Sequence, residues 1–113
     1  MSPGEIHLAT FPFGGIVGAK LRPVHCLTGP LGTTPEALVA YITTVIPPAL
    51  LPTDILLDPN LPEYSTTNLK ASSLLRLHKL ATIHASDFAR LIGRLSPASI
   101  TEVETKLRLL LNL

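Results

Sequence analysis

From Asn68 to His84 the chain sets ionisable and hydroxyl side chains into what is otherwise an apolar strand pattern. In an extended segment starting at Ser73, alternate residues share a face. Ser73, Leu75, Leu77 and Lys79 then fall on one side, and Leu74, Arg76, His78 and Leu80 on the other. Arg76 and His78 would stand roughly 6–7 Å apart, a span over which two groups can flank one phosphate. The guanidinium would neutralise negative charge, and the imidazole, with an ordinary pKa near ~6.5, could accept a proton at neutral pH. Charged residues on an edge strand that discourage aggregation are an equally ordinary reading of the same pair.

The elements that must position these groups are short strands. Glu5–Thr10 alternates at period two and is stopped by Phe11-Pro12-Phe13-Gly14-Gly15. A Gly-rich loop from Gly14 to Gly18 leads through Lys20 into a second strand, Leu21 to Thr28, whose Pro23 must lie near an edge or at the strand start. Ala37–Val45 is a β-rich, buried run ended by Pro47-Pro48, and Leu51–Asp58 is a short strand bounded by turn residues. After the central stretch, Ala85-Ser86-Asp87 reads as a turn and Phe88–Leu95 as the last strand. Ser96 and Pro97 then start a helix as N-cap and first residue, with Ile100, Val103, Leu107, Leu110 and Leu111 on one stripe. Strands joined by Gly/Pro turns and followed by one helix predict a mainly β fold, a small and partly closed barrel.

Several of these segments, in this order, resemble the MazF/PemK toxins of type II toxin–antitoxin systems. The similar motifs are the opening Gly4-Glu5-Ile6-His7-Leu8, Arg22-Pro23-Val24 after a Gly-rich loop, and Ala40-Tyr41-Ile42-Thr43. Leu51-Pro52-Thr53-Asp54-Ile55-Leu56-Leu57-Asp58 and Leu75 to His84 complete the set. The resemblance implies an SH3-like barrel of the MazF/PemK/CcdB type with a C-terminal helix, assembled as a homodimer. It implies a metal-independent endoribonuclease, an mRNA interferase cleaving single-stranded RNA and held inactive by a cognate antitoxin protein. Carried over residue by residue, it makes Arg22, Thr43, Arg76 and His78 the catalytic candidates. Thr44 is the fallback for Thr43, and Ser73, Lys79, Lys20 and Thr44 are the substrate contacts. His78 and His84 stand where the family has acids. Two alternatives therefore stay open: a CcdB-like toxin that binds gyrase, and a catalytically inactive member that binds an antitoxin.

Taken without the resemblance, Arg22 is an ordinary exposed cation, Thr43 a β-former and Ser73 a polar strand residue. Composition bounds the rest. A chain of 113 residues with 46% hydrophobic content suits one domain, 1–113, with its own core. A net charge of +1 does not by itself announce nucleic-acid binding, but the charge is uneven. Residues 36–65 carry Glu36, Asp54, Asp58 and Glu63 without a Lys or Arg. Residues 70–94 carry Lys70, Arg76, Lys79, Arg90 and Arg94 against Asp87, which predicts an acidic and a basic side.

The single Cys26 excludes an internal disulfide, and Met1-Ser2-Pro3-Gly4-Glu5 lacks the pattern of a signal peptide, so a cytoplasmic protein is expected. Mean hydropathy of +0.40 without a run of ~20 apolar residues argues for an oligomer interface and no membrane partner. His7, His25, His78, His84 and Cys26 have no metal-site spacing, so neither metal nor cofactor is expected. No G-x-S-x-G elbow is present, and 4% aromatic content leaves few platforms for stacking bases.

Overall fold

The alternation of Glu5–Thr10 forms strand β1, and five further strands follow: β2 (Leu21–Cys26), β3 (Glu36–Thr43), β4 (Asp54–Leu57), β5 (Ser73–His84) and β6 (Phe88–Arg94). Helix α1 (Pro97–Leu111) ends the order. The computed structural model describes residues 1–11 and 20–113, so the Gly14–Gly18 loop expected from the sequence lies outside the described residues. All pairings are antiparallel, in the order β4-β5-β3-β2-β1-β6. β3 is shorter than its β-rich run because the Thr43 hydroxyl accepts the Val45 N–H at 3.1 Å, turning the chain out of the ladder before Pro47. β4 begins only at Asp54, where a turn closes with Asp54 N–H donating to the Leu51 carbonyl at 3.0 Å.

Both faces of the sheet are covered. Ile6, Ala40, Ile42, Ile55, Leu57, Leu75 and Leu77 form one core with Leu95 and with Val103 of α1. Ala9, Phe11, Val24, Cys26, Val39 and Ile83 form a second one on the opposite side. α1 starts as its sequence predicts, with the Ser96 hydroxyl accepting the Ser99 N–H at 3.2 Å and Pro97 in the first turn. Ile100, Leu107 and Leu110 pack on the first core. Leu111 does not join them and is 53% exposed, because a residue eight positions after Val103 has rotated roughly 80° off its stripe. No helix among the described residues is long and apolar enough to cross a membrane.

The two edge strands, β4 and β6, are joined by the segment between β4 and β5 rather than by pairing. A 3-10 turn, Pro62–Thr67, lies against β6, where Thr66 Oγ1 donates to the Arg94 carbonyl at 2.8 Å and Asn68 Nδ2 to the Ile92 carbonyl at 2.9 Å. That closes the sheet into the partly closed barrel that the turn pattern predicts. Closure depends on Gly93, since a Cβ there would run into the Thr66 and Thr67 carbonyl oxygens. The limit is space, with backbone as the obstacle, so relief would have to move the strand or the turn. Gly93→Ala should therefore lower stability by roughly 1–3 kcal/mol, read from urea unfolding. A wild-type midpoint would show that this contact does not hold the barrel shut.

His25 is 2% exposed, and neither ring nitrogen has a hydrogen-bond partner among the described residues. Burial pushes its pKa down to about 4 from the ordinary 6.5. The unfolded chain thus takes up a proton near pH 6.5 and the folded one only near pH 4, so folding stability should fall as pH drops through that window. The full loss is about 3 kcal/mol, reached below pH 4. Urea unfolding from pH 7 to pH 5 should show the decline in wild-type protein and a flatter slope in His25→Leu; equal slopes would exclude His25 as the cause.

Candidate active site

The site grows out of a break in the ladder. β2 pairs with β1 along Leu21–His25, but its pairing with β3 runs only from Val24 opposite Tyr41 to Cys26 opposite Val39. Pro23 has no N–H to donate, so the start of β2 has no ladder to β3 beside it. The end of β3 and the start of β2 diverge there around a cleft of about 220 Å³. Arg22 and Pro23 of β2, Tyr41 to Thr43 of β3, Thr44 and Val45 beyond it, and Ser73 of β5 line it. Four residues singled out from the sequence, Arg22, Thr43, Thr44 and Ser73, therefore meet in one concavity.

Their polar atoms differ in how they are engaged. The Arg22 side chain makes no hydrogen bond or ion pair with any described residue, and its Nε is buried without a partner. A guanidinium whose Nε–H is buried and unmet is biased towards an anion. Thr43 Oγ1 accepts the Val45 N–H, which leaves the hydroxyl proton free to donate. Ser73 is buried, its hydroxyl donating to the Ala71 carbonyl at 2.9 Å, and Thr44 is exposed at the rim. Lys20 is exposed at the entry to β2 and is not among the residues lining the cleft.

Register places Arg76 on the same side. Tyr41 opposes Arg76 and Thr43 opposes Leu74, and directly opposed residues of a ladder project together. Arg76 is held by a residue that the sequence reading did not select. Asp54, opposite it on β4, accepts from Arg76 Nε through Oδ1 and from Nη2 through Oδ2, both at 3.2 Å. The Asp54 side chain is 0% exposed and that of Arg76 18%. The acidic and basic stretches thus do not become two sides of the molecule. β3 and β4 pair with β5, so the two stretches lie strand against strand.

Strict alternation along β5 fails just past Arg76. Ala40 opposes Leu80 while Tyr41 opposes Arg76, so Leu77, His78 and Lys79 bulge from the ladder. The bulge rephases the strand. Leu80, expected beside Arg76, packs on the first core, and Lys79, expected beside Leu77, places its ammonium 5.7 Å from the centroid of the Tyr41 ring. His78 is exposed in the bulge. Its pKa is lowered from the ordinary value, first by partial desolvation and then by the Arg76 charge; Lys79 adds to the fall and Asp54 opposes it. His84 lies at the far end of β5, where its Nδ1 accepts the Ser86 N–H at 3.1 Å. Among the described residues no group of three or more His, Cys, Asp or Glu side chains gathers as metal ligands would.

Residues 2–111 match the family model of the PemK-like, MazF-like toxins of type II toxin–antitoxin systems. Among solved structures, the chain is similar to the Mycobacterium tuberculosis toxin MazF-mt6, at 25% identity over 96% of this chain and 97% of that one, with a TM-score of 0.74. It shares its fold with an endoribonuclease in complex with its cognate antitoxin from Mycobacterial species, at 17% identity over 100% and 96% of the two chains and a TM-score of 0.72. A further endoribonuclease from Mycobacterial species has a TM-score of 0.70 at 14% identity, over 100% and 92%. No curated protein matches by sequence.

The unpartnered guanidinium yields a paired expectation for Arg22→Met. Affinity for a single-stranded oligonucleotide should fall about tenfold or more, with a shallower salt dependence, because a charge-assisted phosphate contact is lost. The melting temperature should hold or rise, since a buried unsatisfied donor has gone. Fluorescence anisotropy and a thermal melt measure the two; lower stability with unchanged affinity would make Arg22 a structural residue.

Proposed function

The chain belongs to the PemK-like, MazF-like toxins of type II toxin–antitoxin systems, and on that premise we propose that the cleft between β2 and β3 is the active site of an endoribonuclease acting on single-stranded RNA. The observation that carries this reading is the convergence of Arg22, Thr43, Thr44 and Ser73 on one cleft, with the buried Arg22 Nε unpartnered among the described residues. The mycobacterial endoribonucleases that share the fold support it.

The reaction is transesterification. The ribose 2′-oxygen forms a bond to the adjacent phosphorus, the bond from phosphorus to the 5′-oxygen breaks with its electron pair going to that oxygen, the 2′-hydroxyl proton goes to a base, and the departing 5′-oxygen takes a proton from solvent water. His78 takes that proton; it stands where the family has an acid, and its lowered pKa keeps the imidazole neutral at pH 7. Arg22 and Arg76 stabilise the charge that builds on the phosphorane oxygens, and the Thr43 hydroxyl orients one of them. Arginine holds its proton too tightly to be a good acid, so its part is electrostatic. Lys79, Lys20, Thr44 and Ser73 contact the strand on either side.

The protein acts in the cytoplasm as a homodimer. Val45, Ile46, Leu50 and Leu51 after β3, and Leu109, Leu111 and Leu113 at the end of α1, are exposed apolar residues suited to burial between chains. A cognate antitoxin covers Arg22 and Arg76 with an acidic or amphipathic segment and competes with RNA.

Labelled RNA incubated with the protein in chelator tests the activity. Intact RNA would favour a toxin acting through protein contact, or an inactive family member. For the base, His78→Ala should lower the cleavage rate by roughly 10²–10⁴-fold while binding of an uncleavable 2′-deoxy substrate changes little. The wild-type rate should fall as pH drops through the pKa of His78, at a point below 6.5, because protonation removes the base. His78→Asp should recover part of the activity and hold it to lower pH. A His78→Ala rate equal to wild type would move the proton transfer elsewhere.

A further inference from the structure

Asp54 is anchored from three elements at once. Its Oδ2 accepts the Leu51 N–H at 2.8 Å, its own N–H donates to the Leu51 carbonyl, and its carbonyl accepts Lys106 Nζ of α1 at 2.8 Å. Turn, strand and helix thus fix one carboxylate, which grips Arg76 through two nitrogens. Stability alone is a weak reason for this arrangement. Desolvating an ion pair is costly, and apolar side chains of equal volume commonly serve a core as well or better. A fully buried carboxylate holding a partly exposed guanidinium instead fixes the direction of the guanidinium.

We propose that Asp54 is the positioning residue of this site: it locks Arg76 on the Thr43 face of the sheet and leaves its remaining N–H donors turned towards the scissile phosphodiester. The inference rests on the ribonuclease reading and deepens it. Arg22 and Arg76 then have distinct tasks. Arg22, without a protein partner among the described residues, supplies binding, whereas Arg76 arrives already oriented and acts on the charge that develops in the transition state. Asp54 reaches the base as well. Among the described residues, the charges acting on His78 are Arg76 and Lys79 from β5 and Asp54 from β4, and only Asp54 favours its protonated form.

The test is Asp54→Asn, nearly isosteric, assayed beside wild type for cleavage of a single-stranded RNA across a pH series. kcat should fall about tenfold to a hundredfold with KM nearly unchanged, because an oriented contact made in the transition state is lost. The acid limb of the pH–rate profile should move to lower pH, since the Arg76 charge then acts on His78 without its counter-charge. A residue that only stabilised the fold would not move that limb, so an unmoved limb with wild-type kcat overturns the proposal. Should Asp54→Asn fail to fold, Arg76→Lys decides: it keeps the charge but cannot accept a two-point grip, so kcat should drop to a similar degree. Wild-type kcat in Arg76→Lys overturns the proposal. Wild-type protein that cleaves no RNA overturns the ribonuclease reading and this inference with it; active wild type with an unaffected variant overturns the role of Asp54 alone.

Discussion

Asp54 and Arg76 can meet only because β4 and β5 are paired in one register, and the ion pair is not what sets it. Leu75 and Leu77, which flank Arg76, are fully buried in the core under α1. Slipping β5 by one residue would turn both leucines to the Thr43 face and drive the guanidinium into the core under α1. Burying a leucine contributes about 1.5–3 kcal/mol, so the two together outweigh an ion pair whose net contribution is near zero after desolvation. Hydrophobic burial thus chooses the register, and the chemistry follows from it. The same register sets Thr43 opposite Leu74 and so brings β3 to the cleft.

Most of the fold was legible in the sequence because its signals are local. Period two at Glu5–Thr10 and the Ser96-Pro97 start of α1 each act within a few residues, and β1 and α1 lie where those signals place them, whereas β3 stops at Thr43, short of its prolines. The bulge in β5 was not legible. Nothing in Leu75 to Leu80 marks three residues as unpaired, since the interruption exists only relative to β3. Alternation therefore mispredicted the faces of Lys79 and Leu80 while predicting those of Arg76 and Leu77 correctly.

The site was half legible for a similar reason. Arg22 and Thr43 were selected through the family resemblance, whereas Asp54 gains its meaning from a partner 22 residues away. A signal was present in hindsight. The alternation of β4 points Ile55 and Leu57 into the core, and an aspartate that opens such a strand needs a cation opposite it. The uneven charge along the chain held the same information, read as two surfaces when it described two paired strands.

Pro23 ties access to rigidity. An amide at that position could extend the β2–β3 ladder, and one more bond would add about 1 kcal/mol to the sheet. It would also draw β2 against the end of β3 and shut the cleft that Arg22 and Thr43 share. At Pro23 itself the sheet cannot become both more tightly bonded and more open, because a single missing hydrogen governs both properties. Added stability in the second core or at the far end of the helix would leave the mouth of the cleft untouched.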